Sequence, residues 1–323
     1  MNRRALVFSG PRRVEIVEEA LPRPGPGEVL VQARFSAISA GTELLAFRGQ
    51  VPAELPLDET LGALAGTFTY PFRFGYASVG HVVAAGPGAE GWMGQPVFAF
   101  HPHAGAFVVP AESVVAVPGD VPADRAALLA LMETAVNLVL DGRPLLGERV
   151  VLVGQGMVGL LATALLARFP LESLQVIEAN PRRAEVARAL GARVVAAREP
   201  RDADLVYELS GDPAAMDVAL AAAGREGRVI VGSWYGSKRA PVDLGGAFHR
   251  GRITISSSQV SRLGPALSAR WDRERRFAAA WRALSALDAR PLITHRVPFT
   301  EAQQAYELLD RAAGEALQVL LVH

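Results

Sequence analysis

The stretch Gly154-Gln155-Gly156-Met157-Val158-Gly159 decides the fold of this chain. It follows the apolar run 150–153 and opens an apolar segment of helical character, so it marks a turn from a buried strand into a helix. In such a turn the first glycine permits the tight bend, the second lets the backbone approach a diphosphate, and the third lets helix and strand pack closely. The free amides at the start of the helix attract phosphate groups. The stretch therefore predicts a dinucleotide-binding turn.

Apolar runs typical of buried strands alternate with helix-like segments after this turn. The predicted strands cover residues 174–177, 204–209, 228–232 and 253–257. Alternation of this kind indicates a parallel sheet that helices cover on both faces. The central part of the chain is therefore predicted to be an α/β domain of the Rossmann type, with a doubly wound parallel sheet.

The first 120 residues differ, because they contain many short strand-like runs separated by turns. Pro-Gly-Pro-Gly at 24–27 and Gly-Pro-Gly at 86–88 mark two of these turns. Short strands with such punctuation suggest a barrel or a sandwich. The span 44–75 is rich in proline and glycine and is predicted to form a long loop.

The end of the chain returns to a mixed pattern. It predicts an Arg-rich helix, a helix capped by Thr300 with Gln303 three residues on, and a closing strand. These elements cover residues 270–288, 300–310 and 318–322. We therefore expect one domain made of residues 1–121 and 265–323, and a second domain made of residues 122–264.

The composition argues against several kinds of protein and partner. The 323 residues include 33 basic and 33 acidic ones, so no net positive field favours a nucleic-acid partner or an anionic membrane. The absence of cysteine excludes disulfides and thiolate-bound metal. The sequence contains neither a recognisable export signal nor an apolar run long enough to cross a membrane, so a cytoplasmic location is expected.

Glu178 ends the second predicted strand of the sheet, 19 residues after Gly159. An acid near this distance bonds the ribose hydroxyls of the adenosine, and its charge repels a 2′-phosphate, so NAD is the favoured cofactor. Arg182 and Arg183 follow closely and keep NADP open as the alternative.

Further cofactor contacts are expected just past later strands, because ligands of such sheets bind at the carboxyl ends of the strands. The predicted cofactor-binding residues from the residue pattern are therefore Gly154, Gln155, Gly156, Met157, Val158, Gly159, Glu178, Arg183, Ser210, Gly232, Ser233 and Trp234.

The order of these segments resembles that of the medium-chain dehydrogenase/reductase superfamily. The resemblance is carried by 154–159, by Pro24-Gly25-Pro26-Gly27-Glu28-Val29-Leu30-Val31 and by Gly75-Tyr76-Ala77-Ser78-Val79-Gly80, and it covers nearly the whole chain. It implies a GroES-like, partly open β-barrel catalytic domain packed against the Rossmann domain, with the active site in the cleft between them. It also implies that Thr134 lies near the nicotinamide ring, and that the protein is a homo-oligomer, a dimer or a tetramer.

Zinc-dependent members of this superfamily carry a cysteine ligand in a Cys-x-Ser/Thr-Asp-like motif and a second ligand in a Gly-His-Glu motif. The matching stretches here are Ala40-Gly41-Thr42-Glu43 and Gly75-Tyr76-Ala77, and the third ligand position matches Ala130. The resemblance therefore implies a site without zinc. His101 and His103 stand close together, but two histidines without a third ligand do not predict a metal site.

A closer resemblance is to the bacteriochlorophyllide a dehydrogenase-like branch, which reads similarly at 36–43 and at 75–80. The enzyme of that branch oxidises a hydroxyethyl side chain on a tetrapyrrole. Ala77 replaces an acid expected there, and nothing else in the sequence points to a pigment. We therefore carry over the branch and not its substrate.

Without a metal, a hydrogen-bond donor must stabilise the alkoxide that develops during hydride transfer. Tyr76 stands at a former ligand position and Thr42 at the place of a relay hydroxyl in the family. We predict that Tyr76 donates to the substrate oxygen and that Thr42 passes the proton onward. The alternative is that Tyr76 merely fills the vacant metal space. Glu43 is expected to be either a buried relay or an exposed loop acid. Glu133 has similar alternatives, of which a place on a helix surface is favoured over a buried relay.

The predicted function is a zinc-independent transfer of a hydride between a nicotinamide cofactor and a small-molecule alcohol or carbonyl substrate. Two alternatives remain, a quinone or enone reductase on the same scaffold and a non-catalytic dinucleotide-binding regulatory protein. Lys238, the only lysine of the chain, is one of the candidate substrate contacts. The full set of these candidates is Glu43, Tyr235, Lys238 and Ser257.

Overall fold

The structure is a computed structural model that describes residues 2–312 and 314–323. It separates into two compact units. Unit 1 comprises the described residues up to Ala130 and from Leu284 onward, and unit 2 comprises Leu131–Ala283. The domain boundaries drawn from the sequence, after residues 121 and 264, stay a prediction about which segments belong to each functional domain.

The strands and helices alternate as the two-part sequence pattern predicts. The strands are β1 (Asn2–Gly10), β2 (Arg13–Ala20), β3 (Glu28–Ala37), β4 (Ser78–Ala85), β5 (Pro96–Ala99), β6 (Ala106–Pro110), β7 (Val114–Ala116), β8 (Arg149–Val153), β9 (Ser173–Ile177), β10 (Arg193–Val194), β11 (Ala203–Glu208), β12 (Ala223–Val231), β13 (Thr254–Ser257), β14 (Ile293–Pro298) and β15 (Gln318–Val322). The α-helices are α1 (Ala40–Arg48), α2 (Ala123–Ala126), α3 (Leu129–Gly142), α4 (Met157–Leu166), α5 (Pro181–Ala189), α6 (Ala215–Ala222), α7 (His249–Gly251), α8 (Arg273–Ala286) and α9 (Ala302–Arg311).

Unit 1 is built around an open, mostly antiparallel sheet. Its described strands pair in the order β14-β15-β3-β4-β5-β7, with β6 also on β3, and β1 and β2 form a separate hairpin. The last strand returns to the first part of the chain, because Leu320 of β15 pairs with Ala37 of β3. The sheet does not close on itself, so the predicted partly open barrel is confirmed.

An aromatic cluster fills one core of unit 1. The ring of Phe8 stacks on Phe72 at 5.2 Å and meets Tyr306 edge-on at 5.3 Å, and Tyr306 also stacks on Phe47 at 5.3 Å. Aromatic pairs at these separations add to the stabilisation from burial alone. The cluster brings β1, α1 and α9 together, and α1 and α9 carry groups of the site described below.

Unit 2 contains a parallel sheet with the strand order β10-β9-β8-β11-β12-β13. Numbered within this sheet the order is 3-2-1-4-5-6, which is that of the Rossmann fold. Apolar strand side chains such as Val151, Val206 and Val229 are buried beneath the covering helices. The predicted α/β fold class with a doubly wound sheet is therefore confirmed.

Two local predictions were wrong. The first part of the predicted long loop 44–75 is helical, because α1 buries Leu44, Leu45 and Phe47 and ends at Gly49 in the left-handed conformation. The apolar residues are consecutive and so show no helical period. The capping box predicted at Thr300 is also absent, because α9 begins after Glu301 and Gln303 accepts instead from the amide of Val14.

None of the helices in the described part of the chain combines the length and the apolar character that crossing a membrane requires.

Candidate functional site

The glycine-rich turn at 154–159 has the conformation that its sequence predicts. Gly154 has φ +94°, and a Cβ there would stand 2.5 Å from Cα of Ser210. A Cβ on Gly159 would stand 2.3 Å from the carbonyl oxygen of Gly154, so helix and strand meet closely. Gly156 is the N-cap of α4, and a Cβ there would have no described atom within 4 Å. The turn therefore leaves open space beside the helix start, which fits a diphosphate.

Glu178 binds the turn from the end of β9. Its Oε2 accepts the amide of Gln155 at 2.7 Å, and its Oε1 accepts the amide of Asn180 at 2.7 Å. The side chain of Gln155 is buried and accepts from Thr163 at 2.9 Å, so it does not line the open space. Met157 and Val158 are partly exposed at the start of α4. Arg183, partly exposed, lies in the first turn of α5, where Asn180 caps its amide.

A buried carboxylate, Glu208, joins several predicted residues at the carboxyl ends of β11 and β12. Its Oε1 accepts the amide of Ser210 at 2.8 Å and the Ser210 hydroxyl at 2.5 Å. Its Oε2 accepts the hydroxyl of Tyr235 at 2.5 Å. Burial raises the pKa of Tyr235, and the nearby Glu208 raises it further. Sequence reasoning missed Glu208, although its place at a strand end was a usable signal.

The loop after β12 carries the remaining predicted residues of this edge. Ser233 accepts the amide of Gly211 at 2.8 Å, and Lys238 donates from Nζ to the carbonyl of Gly211 at 2.5 Å. Gly232 is partly buried, and the Trp234 side chain is 40% exposed. The structure thus brings Ser210, Ser233, Tyr235 and Lys238 to the same edge of the sheet.

Helix α3 carries a buried polar row, which corrects the expected place of Glu133. This residue is only 3% exposed, and Arg276 binds its Oε1 from Nε at 2.9 Å and from Nη2 at 2.6 Å. Burial raises the pKa of Glu133, and the charge of Arg276 opposes the rise. Thr134, beside it, is partly buried. Ser257 is exposed at the end of β13, and the structure does not join it to the Glu208 group.

The predicted pair Tyr76 and Thr42 lies together in unit 1. The hydroxyl of Tyr76 donates to Oγ of Ser39 at 2.6 Å, and the side chain of Thr42 lies near enough to influence the pKa of Tyr76. Burial raises the pKa of Tyr76 to about 12, the charge of Glu43 adds to the rise, and the hydroxyls of Ser39 and Thr42 oppose it. Tyr76 is therefore a neutral phenol near pH 7, able to donate a hydrogen bond.

Glu43 lies behind this pair and is fully buried, so the expectation of an exposed loop acid was wrong. Its Oε1 accepts the amide of Ser39 at 2.7 Å. Its Oε2 lies 2.9 Å from Nε2 of His103 and also accepts the hydroxyl of Tyr306. Because its side chain has no exposed surface, this geometry argues against direct contact between Glu43 and a substrate.

Ser39, His103 and Tyr306 were not singled out as site residues from the sequence. Tyr306 lies 263 positions from Glu43, and His103 lies 60 positions from it. A local sequence pattern does not predict contacts between residues so far apart in the chain. Ser39 had a weak signal, because it lies within the stretch 36–43 that carries the resemblance to the bacteriochlorophyllide a dehydrogenase-like branch.

The three positions that match zinc ligands do not fit a zinc ion. Ala40 and Ala130 have no side-chain donor atom, and the phenol of Tyr76 is bound to Ser39. The imidazole of His103 is engaged as well, because its Nε2 lies 2.9 Å from Oε2 of Glu43. Within the described ranges, no three His, Cys, Asp or Glu side chains are grouped as a metal ion would need.

Comparisons with known proteins find dehydrogenases that are similar over nearly the whole chain. No protein-family model matches the chain. It is 28% identical over 326 residues to 2-desacetyl-2-hydroxyethyl bacteriochlorophyllide A dehydrogenase of Cereibacter sphaeroides, covering 95% of this chain and 94% of that protein. It is 26% identical over 359 residues to L-threonine 3-dehydrogenase of Pyrococcus horikoshii, with the same two coverages, 95% and 94%.

A solved structure gives the same result for the fold. An alcohol dehydrogenase from Escherichia coli CFT073, complexed with NADH, superposes with a TM-score of 0.80 at 20% identity, covering 100% of this chain and 99% of that one. The resemblance inferred from the sequence, including that to the bacteriochlorophyllide dehydrogenase branch, is confirmed. Over nearly its whole length, the chain thus resembles dehydrogenases of the medium-chain dehydrogenase/reductase superfamily.

Proposed function

We propose that the protein is a zinc-independent, nicotinamide-dependent oxidoreductase that moves a hydride between its cofactor and an alcohol or carbonyl carbon. The dehydrogenase relatives support the reaction class. The observation that carries the proposal is the Tyr76 hydroxyl, bound to Ser39 at 2.6 Å, at a position where zinc-dependent relatives of the superfamily place a ligand. A protein phenol there takes over the contact with the substrate oxygen.

The cofactor is assigned to unit 2. The amides at the start of α4 would hold the diphosphate, and the space beside Gly156 would admit it. Each oxygen of Glu178 accepts one amide in the structure and keeps a further lone pair, so the carboxylate can still accept ribose hydroxyls. This supports NAD over NADP. When bound, the nicotinamide would supply or accept the hydride.

The proton chemistry is assigned to Tyr76. In the direction of reduction, the substrate oxygen gains negative charge as its carbon is reduced. The phenolic hydrogen turns from Ser39 to that oxygen and stabilises the charge, while the Ser39 hydroxyl donates to the phenol oxygen instead. The phenolic proton then moves to the oxygen to give the alcohol, and the phenolate recovers a proton through the hydroxyls of Ser39 and Thr42. Oxidation follows the same steps in reverse.

The variant Tyr76→Phe tests this assignment, because it removes the hydroxyl and keeps the ring. We expect turnover to fall by at least about tenfold, with the dissociation constant of the cofactor changed by less than about twofold. The cofactor constant is measured by fluorescence titration and turnover by absorbance of the reduced nicotinamide. Wild-type turnover in Tyr76→Phe would leave the tyrosine as a filler of the vacant metal space.

A panel of alcohols, aldehydes, quinones and enones, each with NADH or NADPH or their oxidised forms, tests the reaction class. Turnover of alcohols or aldehydes supports the proposal, and turnover of quinones or enones alone replaces it with the reductase alternative. Cofactor binding without turnover on any compound would instead favour a regulatory protein. Zinc added to metal-stripped protein should leave turnover unchanged, since the ligand positions are Ala40, Tyr76 and Ala130.

A further inference from the structure

Three different parts of unit 1 form hydrogen bonds to the buried carboxylate of Glu43. Its donors are the Ser39 amide before α1, the His103 imidazole between β5 and β6, and the Tyr306 hydroxyl on α9. Glu43 and Tyr306 are both 0% exposed, as is His103. A charged group without access to water is costly unless hydrogen bonds replace its hydration. The three donors supply that replacement and fix the direction of both carboxylate oxygens.

Ser39 links Glu43 to the Tyr76 hydroxyl, because it contacts both residues. Ser39 is the N-cap of α1, yet its hydroxyl caps no described amide of that helix. The carboxylate of Glu43 takes the amide of Ser39 at 2.7 Å, and Oγ of Ser39 is left to receive the phenol of Tyr76 at 2.6 Å. In an ordinary capping arrangement the serine oxygen would bind a helix amide instead. Glu43 thus holds the backbone of the residue that receives the phenol.

His103 links Glu43 to the backbone next to Tyr76. Gly75 precedes Tyr76 and has φ +99°. A Cβ on Gly75 would stand 2.4 Å from Nε2 and from Cδ2 of His103, so the imidazole lies directly on this backbone. The same Nε2 is bound to Glu43 at 2.9 Å. Glu43 therefore holds both the acceptor of the Tyr76 hydroxyl and the ring that packs on the residue before it.

We propose that Glu43 is the positioning residue of the Tyr76 hydroxyl, acting through Ser39 on one side and through His103 on the other, with Tyr306 as its third donor. The proposal rests on the proposed function of Tyr76. It gives the buried carboxylate a task in the reaction, although Glu43 itself contacts no substrate.

The electrostatics of the cluster support this assignment. Burial is the largest cause of the raised pKa of Tyr76, and the charge of Glu43 is the next. Asp58, from the segment between α1 and β4, also raises this pKa, and Tyr306 on α9 interacts electrostatically with Tyr76. Glu43 thus adds to the effect of burial in favouring the protonated phenol.

The variant Glu43→Gln keeps the size of the side chain and removes its charge. Its amide group presents hydrogens where the wild-type oxygens accept from Ser39, His103 and Tyr306, so at least one donor is lost or turned. Tyr306→Phe is the milder variant, since it removes one donor and keeps the aromatic packing. Glu148→Gln in unit 2 is the matched control, because this buried carboxylate binds Arg228 at 2.9 Å and the Leu145 amide at 2.8 Å.

The first measurement is a double-mutant cycle between Glu43→Gln and Tyr76→Phe. We expect Glu43→Gln to lower kcat by at least about tenfold, and to lower it by less than about threefold when Tyr76 is already Phe. Tyr306→Phe should show the same coupling with a smaller effect, and Glu148→Gln should leave kcat unchanged. Equal losses in both backgrounds would mean that Glu43 only stabilises the fold, and would overturn the proposal.

The second measurement does not depend on activity. The ionisation of Tyr76 is followed by tyrosinate absorbance, as the difference between protein with Tyr76 and protein with Tyr76→Phe, in the presence and absence of Glu43→Gln. We expect the midpoint for Tyr76 to fall below its wild-type value of about 12 when the Glu43 charge is removed. An unchanged midpoint overturns the proposal. An undiminished kcat in Tyr76→Phe with a shifted midpoint instead overturns the proposed function and leaves the coupling intact.

Discussion

The glycine turn of unit 2 and the polar cluster of unit 1 are built in opposite ways. The turn uses backbone, and its residues 154–159 are contiguous in the sequence. The cluster uses side chains, and it collects Ser39, Glu43, Tyr76 and His103 with Tyr306 from nearly the other end of the chain. The turn provides open space beside Gly156, whereas the cluster provides a network of hydrogen bonds between buried side chains.

This difference determines how each region should respond to substitution. A backbone turn is damaged when a Cβ enters it, whatever the chemistry of the new side chain. A buried side-chain network is damaged when a donor or a charge is lost, even if the shape is kept. The following predictions, together with those for Tyr76 and Glu43, test whether the two regions respond in these separate ways.

The largest effect is expected for Gly154→Ala. The positive φ of Gly154 and the 2.5 Å approach of its Cβ to the Ser210 backbone should lower the free energy of unfolding by about 2–4 kcal/mol. Cofactor affinity should fall at least about a hundredfold, because the turn itself moves. Urea denaturation and fluorescence titration give the two quantities.

Gly156→Ala is the matched comparison within the same turn. Its Cβ meets no described atom within 4 Å, so the free energy of unfolding should change by less than about 0.5 kcal/mol. Cofactor affinity should still fall at least about tenfold, since the methyl group enters the space assigned to the diphosphate. Unchanged affinity would place the diphosphate elsewhere.

An intermediate effect on the free energy of unfolding is expected when the pH is lowered, and it should arise from a group in unit 1. Burial lowers the pKa of His101 to about 4, below the usual value of about 6.5 in an unfolded chain. As the pH falls below about 6.5, the unfolded chain takes up the proton first, so the free energy of unfolding decreases until about pH 4. The loss from His101 alone should be about 2 kcal/mol at pH 5.

His101→Gln removes this titration and provides the check. The difference in the free energy of unfolding between pH 7 and pH 5 should be smaller in His101→Gln than in the wild type. His323 should contribute in the same direction, because burial lowers its pKa to about 3. An identical pH dependence in wild type and variant would show that the acid sensitivity arises at other groups.

The smallest effect is expected for Lys238→Met. In the structure its ammonium donates to the Gly211 carbonyl, so the variant loses one partly exposed hydrogen bond. Cofactor affinity should fall by no more than about fivefold, in line with the net value of a single hydrogen bond. A loss above about fiftyfold would mean that Lys238 binds a charged group of the ligand.

The sequence predicted best what depends on contiguous residues. The turn, its neighbour Glu178 and the alternating strands and helices of unit 2 follow from local spacing, and the structure has them where the pattern predicts. The pairing of Tyr76 with Thr42 came from family resemblance at two separate motifs, and the structure brings the two side chains together. Their catalytic roles remain predictions.

What the sequence missed depends on distant contacts. The sequence around Glu43 does not predict its contacts with His103 and Tyr306. These contacts form only when α1, α9 and the connection between β5 and β6 pack together. Glu133 was expected on a surface because an acid in a helix is usually solvated, and only the buried Arg276, 143 positions away, reverses that expectation. Helix α1 was missed because its buried side chains surround it and leave no period.

The discontinuous course of unit 1 has a consequence for how the protein is made. Residues 131–283, which form unit 2, leave the ribosome before Tyr306 and strand β15 are synthesised. Proteins generally fold domain by domain from the N-terminus during translation. Here the first 130 residues must wait for the last 40 to complete their sheet and to cover Glu43, so the nascent chain carries an unfinished barrel after all of unit 2 has been synthesised.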